Sequence, residues 1–421
     1  MDGARPAAVV RPSSAEEVAG VVRFAAEKRL AVIPMGGRTK LEIGMPPQQY
    51  DVGIDMAGMN RVLAYDPGDL TLGVEAGIGV EKLLEVLAER KQFLPLLVPW
   101  MERATIGGVM AANSVSPLRY AYGGPRDFVL GMEFVTGEGK LCKSGGRVVK
   151  NVTGYDLHKL MIGSLGTLGV MTRVNFKTFP LPPAQKTFVA SYGSAQEAME
   201  LVQAIAKSPL SPRVVEVVEP NAAAIIGSEK LPAGMWSVVA AAAGNERVVE
   251  RHGAELAKMA EQTHAASFEA LTDEEKRTLL GRVRELVRHV RKANPAATIF
   301  RISALPTAMA GLLGRAKEIA DQNQMSYCAV VRASSIVYFG LLPRQGEDSL
   351  RRLAKAAGEM MQGINGAETG AKAVIEWCPS QLKREVNVWG SPQGDFDLMQ
   401  RIKKVFDPAG ILAPGRFVGG I

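Results

Sequence analysis

Three glycines spaced three residues apart, Gly163, Gly166 and Gly169, lie directly before a β-rich stretch that runs from Val170 to Phe179. Glycine has no Cβ atom, so the backbone amides of such a segment can approach a flat or phosphorylated ligand that a side chain would hold off. The pattern therefore indicates a binding loop at the start of a sheet strand. The structural alternative is a bulge or turn that only introduces the strand.

The length of the chain and one proline-rich run predict two domains. At 421 residues the chain exceeds a single ordinary core, and the run Pro180-Leu181-Pro182-Pro183 cannot continue a helix or a central strand. After this run, a second series of strands and helices is typical of an α+β domain. We predict domains at residues 1–180 and 181–378 and a C-terminal segment at 379–421, and no internal repeat of fixed period is visible.

Local signals place several elements within this outline. The run from Ser13 to Glu17 (SSAEE) is a capping-box signature that predicts the start of a helix. Leu30 to Pro34 reads as a short buried strand, and Asp273 to Lys292 reads as one long helix with a basic face. The net charge of +7 is spread along such faces and only 6% of residues are aromatic. A nucleic-acid-binding protein is therefore not expected.

Cysteine and histidine spacing argues against a metal centre. The three cysteines, Cys142, Cys328 and Cys378, lie far apart, which suggests a reducing compartment and no iron–sulfur cluster within this chain. The four histidines show neither HxH nor HxxxH spacing, so we predict no metal site. The N-terminus has no signal-peptide pattern, and no segment approaches the roughly 18 apolar residues that span a bilayer.

A second glycine-containing loop begins after Pro34 and reads Met35-Gly36-Gly37-Arg38-Thr39-Lys40. Successive backbone N–H groups in such a loop form a concave anion site, which a hydroxyl and a cationic side chain can extend. This chemistry suits a pyrophosphate. The alternative is a solvent loop that merely contains glycines. The spacing fits neither a Walker loop nor the GxGxxG fingerprint, so a Rossmann-type NAD site is not supported.

Two further clusters of small and polar residues lie between these loops. The first is Thr105-Ile106-Gly107-Gly108 with Asn113, and the second is Gly123 with Arg126 and Asp127. Small residues again permit close approach of a ligand, and Thr105 and Asn113 supply short polar groups. Arg126 and Asp127 are equally consistent with ligand contacts and with a structural ion pair.

Taken in order, these segments resemble the flavoproteins with a vanillyl-alcohol-oxidase-type (PCMH-type) FAD-binding domain. The stretch from Lys150 to Asp156 (KNVTGYD) resembles, more narrowly, the E-subunit family of bacterial glycolate oxidase. The C-terminal run from Phe406 to Arg416 is similar to the closing motif of the same flavoproteins. The resemblance implies an α+β fold: a two-subdomain PCMH-type FAD-binding domain, an α+β ferredoxin-like cap, and a tail that returns to the FAD domain.

The resemblance also implies which residues hold the FAD. The implied cofactor-binding set is Pro34, Gly36, Gly37, Arg38, Thr39, Lys40, Pro99, Thr105, Ile106, Gly107, Gly108, Asn113, Gly123, Arg126, Asp127, Gly154, Tyr155, Gly166, Gly169, Val170 and Arg416. Arg416 is a candidate cation for the reduced flavin ring, with a plain surface arginine as the alternative. Relatives with covalent flavin use a histidine or cysteine near the first or second loop. Residues 36–49 and 101–113 contain neither, so we expect non-covalent FAD.

Relatives that oxidise 2-hydroxy acids carry histidines and an acidic residue in the cap, whereas this chain has no histidine after His289. A hydroxyl proton needs a base within hydrogen-bond reach, and only Lys150, Tyr155 or Glu376 could take that part. The resemblance thus implies an FAD-binding subunit of a glycolate (2-hydroxy-acid) oxidase complex that relays electrons. Its partners would be a paralogous catalytic flavoprotein subunit and an iron–sulfur subunit.

Two alternatives stay open at this point: a stand-alone FAD-dependent oxidoreductase acting on another small hydroxy acid or alcohol, and a flavin-less structural subunit. We expect a cytoplasmic protein that could reach the inner face of the cytoplasmic membrane only through its complex. The segment 377–390 is unusual in composition, and either apolar packing or partner docking would explain it.

Overall fold

The computed structural model of the chain describes residues 1–147, 154–344, 349–366 and 370–421. The described residues form two compact units. The first comprises Met1–Val115, Gly123–Leu181 and Ser391–Ile421, and the second comprises Ser116–Tyr122 and Pro182–Gly390. The tail thus belongs to the first unit from Ser391 onward, whereas residues 379–390 group with the second.

The first unit contains one parallel and one antiparallel sheet. Its strands are β1 (Ala8–Val10), β2 (Val32–Met35), β3 (Val52–Asp55), β4 (Val62–Asp66), β5 (Thr71–Glu75), β6 (Gln92–Phe93), β7 (Val129–Val135), β8 (Leu141–Gly145), β9 (Val170–Lys177) and β10 (Phe179–Pro180). The parallel sheet has the order β1-β3-β2, the antiparallel sheet has the order β4-β5-β9-β7-β8, and β10 pairs with β6. These sheets give the two subdomains that the resemblance implied.

Helices cover these sheets, and the first of them begins where the sequence predicts a cap. They are α1 (Ala15–Lys28), α2 (Val80–Ala88), α3 (Ile106–Ala111), α5 (Pro125–Phe128), α6 (His158–Met161) and the tail helix α14 (Phe396–Phe406), while α4 (Arg119–Tyr122) groups with the second unit. Ser14 caps α1 by accepting a hydrogen bond from the N–H of Glu17. The helix ends at Arg29, which is left-handed with φ 54°. The predicted start of the helix is therefore confirmed, but the reciprocal bond of a capping box is replaced: the carboxylate of Glu17 accepts a hydrogen bond from the N–H of Ser13 at 2.7 Å and not from that of the cap Ser14.

The second unit is an eight-stranded antiparallel sheet with the order β14-β11-β13-β12-β16-β17-β15-β18. Its strands are β11 (Ala184–Tyr192), β12 (Val214–Val218), β13 (Trp236–Gly244), β14 (Ser267–Ala270), β15 (Thr298–Ser303), β16 (Ser326–Arg332), β17 (Ile336–Leu342) and β18 (Lys372–Trp377). Its helices are α7 (Ala195–Lys207), α8 (Pro220–Ile226), α9 (Glu246–Gln262), α10 (Asp273–Arg284), α11 (Leu286–Ala293), α12 (Met309–Gln322) and α13 (Ser349–Asn365).

This sheet consists of two ferredoxin-like βαββαβ repeats. The first repeat runs β11-α7-β12-β13-α9-β14, and the second runs β15-α12-β16-β17-α13-β18. Both have the spatial strand order 4-1-3-2, and antiparallel pairing of β12 with β16 joins them. The ferredoxin-like cap is confirmed. The repeat had no visible period in the sequence because α8, α10 and α11 are inserted in the first half and between the halves.

One predicted helix is wrong in extent. Residues 273–292 form two helices, α10 and α11, which meet at Glu285, where ψ is 14° instead of a helical value. Among the described residues, no helix is long and apolar enough to span a bilayer.

Candidate functional site

A cavity in the first unit brings together the glycine segments and the tail. It holds about 740 Å³ of space, its open mouth included. Its lining residues are Pro34, Met35, Gly36, Gly37, Arg38, Thr39, Lys40, Leu41, Met56, Ala76, Thr105, Gly107, Gly108, Ala111, Ala112, Leu165, Gly166, Gly169, Met171 and Arg416. Segments that are far apart in the sequence thus meet at one site.

The first glycine segment, residues 36–40, leaves the end of β2 and forms one wall of the cavity. Within the described parts of the chain, the backbone N–H groups of residues 36–39 donate to no protein acceptor. Arg38 adopts a left-handed φ of 58°, and alternation of right- and left-handed backbone is what points successive N–H groups to one side. A guanidinium nitrogen of Arg38 also lies 3.5 Å from a carboxylate oxygen of Asp55. The segment therefore has the geometry and charge of an anion site.

The second segment packs directly on the first, and this contact explains two of the glycines. Thr105 caps α3 by accepting a hydrogen bond from the N–H of Gly108 at 3.4 Å. A Cβ atom at Gly36 would overlap Oγ1 of Thr105, and one at Gly37 would overlap the carbonyl oxygen of Arg103. These glycines are required by loop-on-loop packing as well as by ligand access. At Gly108 a Cβ atom would meet only Oγ1 of Thr105, at 3.2 Å.

The third segment, residues 163–169, is hydrogen-bonded to the end of α3. The N–H of Gly163 donates to the carbonyl oxygen of Met110 at 2.9 Å, and the N–H of Leu165 donates to that of Ala111 at 3.0 Å. Gly166 has φ 79°, and a Cβ atom there would lie 2.6 Å from Cγ of Pro34. The predicted binding loop therefore lines the cavity and packs against Pro34, which leads into the first segment, so its glycine spacing is more than a bulge before β9.

The tail contributes Arg416, which is only 3% exposed. Its Nη2 atom donates to the carbonyl oxygens of Leu41 and Ile43, each at 2.7 Å. Burial lowers the pKa of this guanidinium to about 10. The alternative of a plain surface arginine is therefore wrong: Arg416 lines the cavity and fixes the chain that follows the first segment.

Twelve of the predicted cofactor residues line the cavity and the others do not. The residues outside its lining are Pro99, Ile106, Asn113, Gly123, Arg126, Asp127, Gly154, Tyr155 and Val170. Ile106 and Val170 are fully buried in the core. Asp127 accepts a hydrogen bond from the N–H of Gly124 at 2.7 Å and so caps α5, while Arg126 is exposed. Asn113 is left-handed, with φ 44°, one residue after Ala112 of the lining.

The candidate catalytic residues are not assembled at this cavity. Lys150 lies outside the described residues. Tyr155 is 88% exposed, and its carbonyl oxygen accepts a hydrogen bond from Ser144. Glu376 belongs to the second unit, where its carboxylate lies 3.6 Å from a guanidinium nitrogen of Arg301. Within the described residues, no group of three or more His, Cys, Asp or Glu is placed to hold a metal ion.

The segment 377–390 lies in the second unit. The guanidinium of Arg291 lies 4.6 Å from the ring centre of Trp377, and the carbonyl oxygen of Val388 accepts a hydrogen bond from the N–H of Ile375 at 2.8 Å. Cys378 and Val388 are buried. These contacts favour the packing interpretation of the segment.

Sequence reasoning missed eight lining residues: Met35, Leu41, Met56, Ala76, Ala111, Ala112, Leu165 and Met171. Met35, Leu41 and Leu165 adjoin predicted residues, and Ala111 and Ala112 continue the small-residue run after Gly108, so adjacency could have found them. Met56, Ala76 and Met171 carry no local signal, because they lie just after β3, just after β5 and in β9, and only the tertiary fold brings these places together.

The residues present fit the FAD that the resemblance implies. The N–H groups of residues 36–39, which have no acceptor among the described residues, and the cations Arg38 and Lys40 suit a pyrophosphate. The apolar remainder of the lining, with three methionines, suits flat aromatic rings.

Comparison with known proteins supports the same conclusion. The sequence-family model named "FAD binding domain" matches residues 6–145. The family model named "FAD linked oxidases, C-terminal domain" matches residues 181–370 and 383–417. Glycolate oxidase subunit GlcD of Bacillus subtilis is 27% identical, with 98% of this chain and 88% of that protein aligned. D-lactate dehydrogenase of Archaeoglobus fulgidus is 28% identical over 97% of this chain and 91% of its own length.

Glycolate oxidase subunit GlcE of Escherichia coli is 35% identical, but over only 45% of this chain and 53% of that protein. The likeness to a D subunit is therefore broader, and the likeness to an E subunit is stronger over a shorter range. The structure of p-cresol methylhydroxylase superposes with a TM-score of 0.79 at 18% identity, covering 97% of this chain and 88% of that one, which confirms the PCMH-type fold. The chain belongs to the FAD-linked oxidases, an oxidoreductase family that includes glycolate oxidase subunits and D-lactate dehydrogenases.

Proposed function

We propose that this chain is the FAD-binding subunit of a multi-subunit glycolate (2-hydroxy-acid) oxidase or dehydrogenase, and that it relays electrons rather than housing the hydroxy-acid site. The observation that carries the proposal is the composition of the cavity. Glycine segments and cations suited to FAD line it, and its described lining contains no histidine, aspartate, glutamate or cysteine.

Non-covalent binding of the FAD is part of this proposal. Histidine and cysteine are the side chains that relatives use to attach flavin covalently, and the described lining has neither. His158, the histidine nearest in sequence to the third segment, is buried, with its Nδ1 atom 3.1 Å from Oγ of Ser144. We therefore expect denaturation to release intact FAD.

Backbone N–H groups and cationic side chains would hold different parts of the cofactor. Residues 36–39 would donate backbone hydrogen bonds to the pyrophosphate, and Lys40 and Arg38 would neutralise its charge. Arg416, held beneath the loop by its hydrogen bonds to Leu41 and Ile43, would add positive charge to the cavity. Bound FAD supplies the two-electron acceptor that such oxidoreductases need.

The lack of a suitable base supports the relay. Removal of a hydroxyl proton needs a group whose pKa lies near the working pH and which reaches the substrate. The ionisable side chains in the described lining are Arg38, Lys40 and Arg416, and cationic guanidinium and ammonium groups carry hydrogen-bond donors but no acceptor for a proton. A paralogous flavoprotein subunit would then supply the oxidising site. An iron–sulfur subunit would take the electrons onward, because this chain has only three cysteines.

The proposal is tested by purifying the chain alone and together with co-expressed neighbouring gene products. Alone, it is expected to be yellow, to release intact FAD on denaturation, and to show little glycolate-dependent dye reduction. Activity is expected to appear when the catalytic partner is present. A colourless protein that cannot be reconstituted with FAD would instead support a structural subunit.

A second candidate is a stand-alone FAD-dependent dehydrogenase of a small hydroxy acid. The nearly full-length likeness to D-lactate dehydrogenase of Archaeoglobus fulgidus favours it. Rapid dye reduction by the isolated chain with D-lactate or glycolate would support this candidate and contradict the relay.

A further inference from the structure

Lys403, in the tail helix α14, has a buried ammonium group with three acceptors. Its side chain is 13% exposed. The Nζ atom donates to the carbonyl oxygen of Thr167 at 2.8 Å, to that of Leu412 at 2.8 Å, and to a carboxylate oxygen of Asp407 at 2.7 Å. An ammonium has three N–H donors, so this set uses its full capacity.

Asp407, four residues after Lys403, is the charged partner of the ammonium group, and its side chain is fully buried. Its two oxygens accept hydrogen bonds from the N–H of Ile411 at 3.1 Å and from the N–H of Leu412 at 2.7 Å. The same residues extend β2, because Val32 donates to the carbonyl oxygen of Ile411, and Ala413 donates to that of Val32, both at 2.8 Å. The pair therefore fixes the tail against the strand that leads into the first glycine segment.

The bond to Thr167 reaches a different wall of the cavity. Thr167 lies between Gly166 and Gly169 of the third segment, both of which line the cavity. The side-chain hydroxyl of Thr167 donates a hydrogen bond within the same segment, to the carbonyl oxygen of Ser164 at 2.8 Å. The side chain of Lys403 in the tail is thus hydrogen-bonded to the backbone of the third segment.

Burying an ammonium group is costly, and an apolar side chain would fill the same space at a lower cost. What only a charged amine can do here is bind acceptors from the third segment and two parts of the tail at once. The exposed neighbour Lys404 shows that a lysine on this helix need not be buried.

We infer that Lys403 is a positioning residue for the FAD site: it holds the third glycine segment in its cofactor-binding position, so that retention of FAD depends on the tail. Removal of the ammonium is expected to let residues 165–169 move away from the cavity. Loss of the ammonium leaves the buried Asp407 carboxylate without its charged partner and is expected to lower stability. Its two backbone donors remain, so we expect the chain to fold.

The test compares Lys403→Met with the matched control Lys404→Met. Each variant loses one positive charge from the same helix, so long-range attraction of the anionic FAD weakens equally in both. FAD dissociation constants are measured at a temperature where circular dichroism shows every variant fully folded, since global stability then no longer contributes to binding. Hydrogen exchange of a peptide covering residues 163–169 is followed in parallel.

Lys403→Met is expected to raise the FAD dissociation constant at least about tenfold, the factor that corresponds to one hydrogen bond from a charged donor. It should also accelerate exchange in residues 163–169. Lys404→Met is expected to change the constant by less than about twofold. The inference is overturned if folded Lys403→Met binds FAD within about twofold of the parent, or if both variants lose affinity equally. Should Lys403→Met not fold, Lys403→Gln, which keeps one donor group, serves the same comparison.

Discussion

At the residue scale, two residues with side chains, Arg38 and Leu165, line the cavity in the unfavourable left-handed conformation. Arg38 is left-handed, with φ 58°, although it carries a side chain, and left-handed backbone costs a residue with a Cβ atom roughly 1–2 kcal/mol. Glycine would adopt this conformation freely. Because the chain keeps an arginine there, beside the N–H groups of residues 36–39, we expect its cation to contribute to binding of an anionic cofactor.

Replacing Arg38 by glycine should therefore separate binding from stability. Arg38→Gly is expected to weaken FAD binding about tenfold, as loss of a charge-assisted contact does, while changing the free energy of unfolding by less than about 1 kcal/mol. Fluorescence titration with FAD and urea unfolding measure the two quantities. Arg29→Gly is the matched control, because Arg29 has φ 54° at the end of α1. Equal losses of affinity in both variants would contradict the role of Arg38.

At the scale of elements, the contact between the first and second glycine segments shapes the cavity. Gly36 faces Thr105, the cap of α3, at a distance that leaves no room for a Cβ atom. A second contact between elements, made by hydrogen bonds, joins α6 to β8. There, Oγ of Ser144 accepts a hydrogen bond from the N–H of His158 at 3.1 Å and lies 3.1 Å from the Nδ1 atom of the same residue.

Adding one methyl group at Gly36 should separate the two segments. Gly36→Ala is expected to destabilise the protein by about 1–3 kcal/mol through overpacking and to reduce FAD binding, because Thr105 and α3 must shift. Gly20→Ala in α1 is the control, since no atom lies within 4 Å of a Cβ built there. It should stabilise the protein by about 0.5–1 kcal/mol. Urea unfolding of the apo-proteins measures the change in the free energy of unfolding of each variant. If Gly36→Ala has the stability of the parent, the two segments can move apart without cost and the prediction is wrong.

Burial of His158 predicts a pH dependence of stability. Desolvation lowers its pKa below the usual value, with Asp156 opposing and Lys159 reinforcing the shift. Because the folded-state pKa is depressed, the stability that this residue contributes is present above the unfolded-state pKa of about 6.5 and is lost as pH falls through the folded-state value.

His158→Asn, which keeps a polar group near Ser144, should flatten the fall in thermal stability between about pH 7 and pH 5. The exposed His264, which also has a positive φ of 61°, provides the control His264→Asn. If both variants follow the pH profile of the parent, His158 is not the group responsible.

At the scale of the whole molecule, the second unit depends on the junction between its two repeats. Glu216 of β12 pairs in register with Arg332 of β16, and their side chains form a buried ion pair with an N–O distance of 2.9 Å. Arg332 also donates to the carbonyl oxygen of Val283 in α10 at 3.2 Å. Burial raises the pKa of the Glu216 carboxyl, and Arg332 counteracts this shift.

Arg332→Met should destabilise the protein by about 3–5 kcal/mol, because it leaves the Glu216 carboxylate buried without its partner. Lys317→Met removes one member of an exposed pair with Asp321 in the same unit and should cost less than about 1 kcal/mol. Urea unfolding followed by circular dichroism compares the two. Glu216→Gln combined with Arg332→Met should recover part of the loss, and no recovery would show that packing of the arginine stem matters more than its charge.

Much of the site could be read from the sequence, since glycine and small residues mark loops that need close approach. The first and third segments were predicted and line the cavity. The cluster of Gly123, Arg126 and Asp127 was also predicted, but it does not line the cavity. Asp127 caps a short helix there, and glycine next to polar residues looks the same in a ligand loop and in a helix start.

The sequence by itself determined the local features of this protein: the cap at Ser14, the proline run at 180–183 and the backbone freedom of the glycine segments all follow from neighbouring residues. Only the tertiary structure decided that Gly36 must accommodate Thr105, that Arg416 is buried, and that Lys403 joins the tail to the third segment. The physical reason is range. Backbone preferences act over a few residues, whereas strand pairing and burial bring together groups hundreds of residues apart, and no local pattern records which of them will meet.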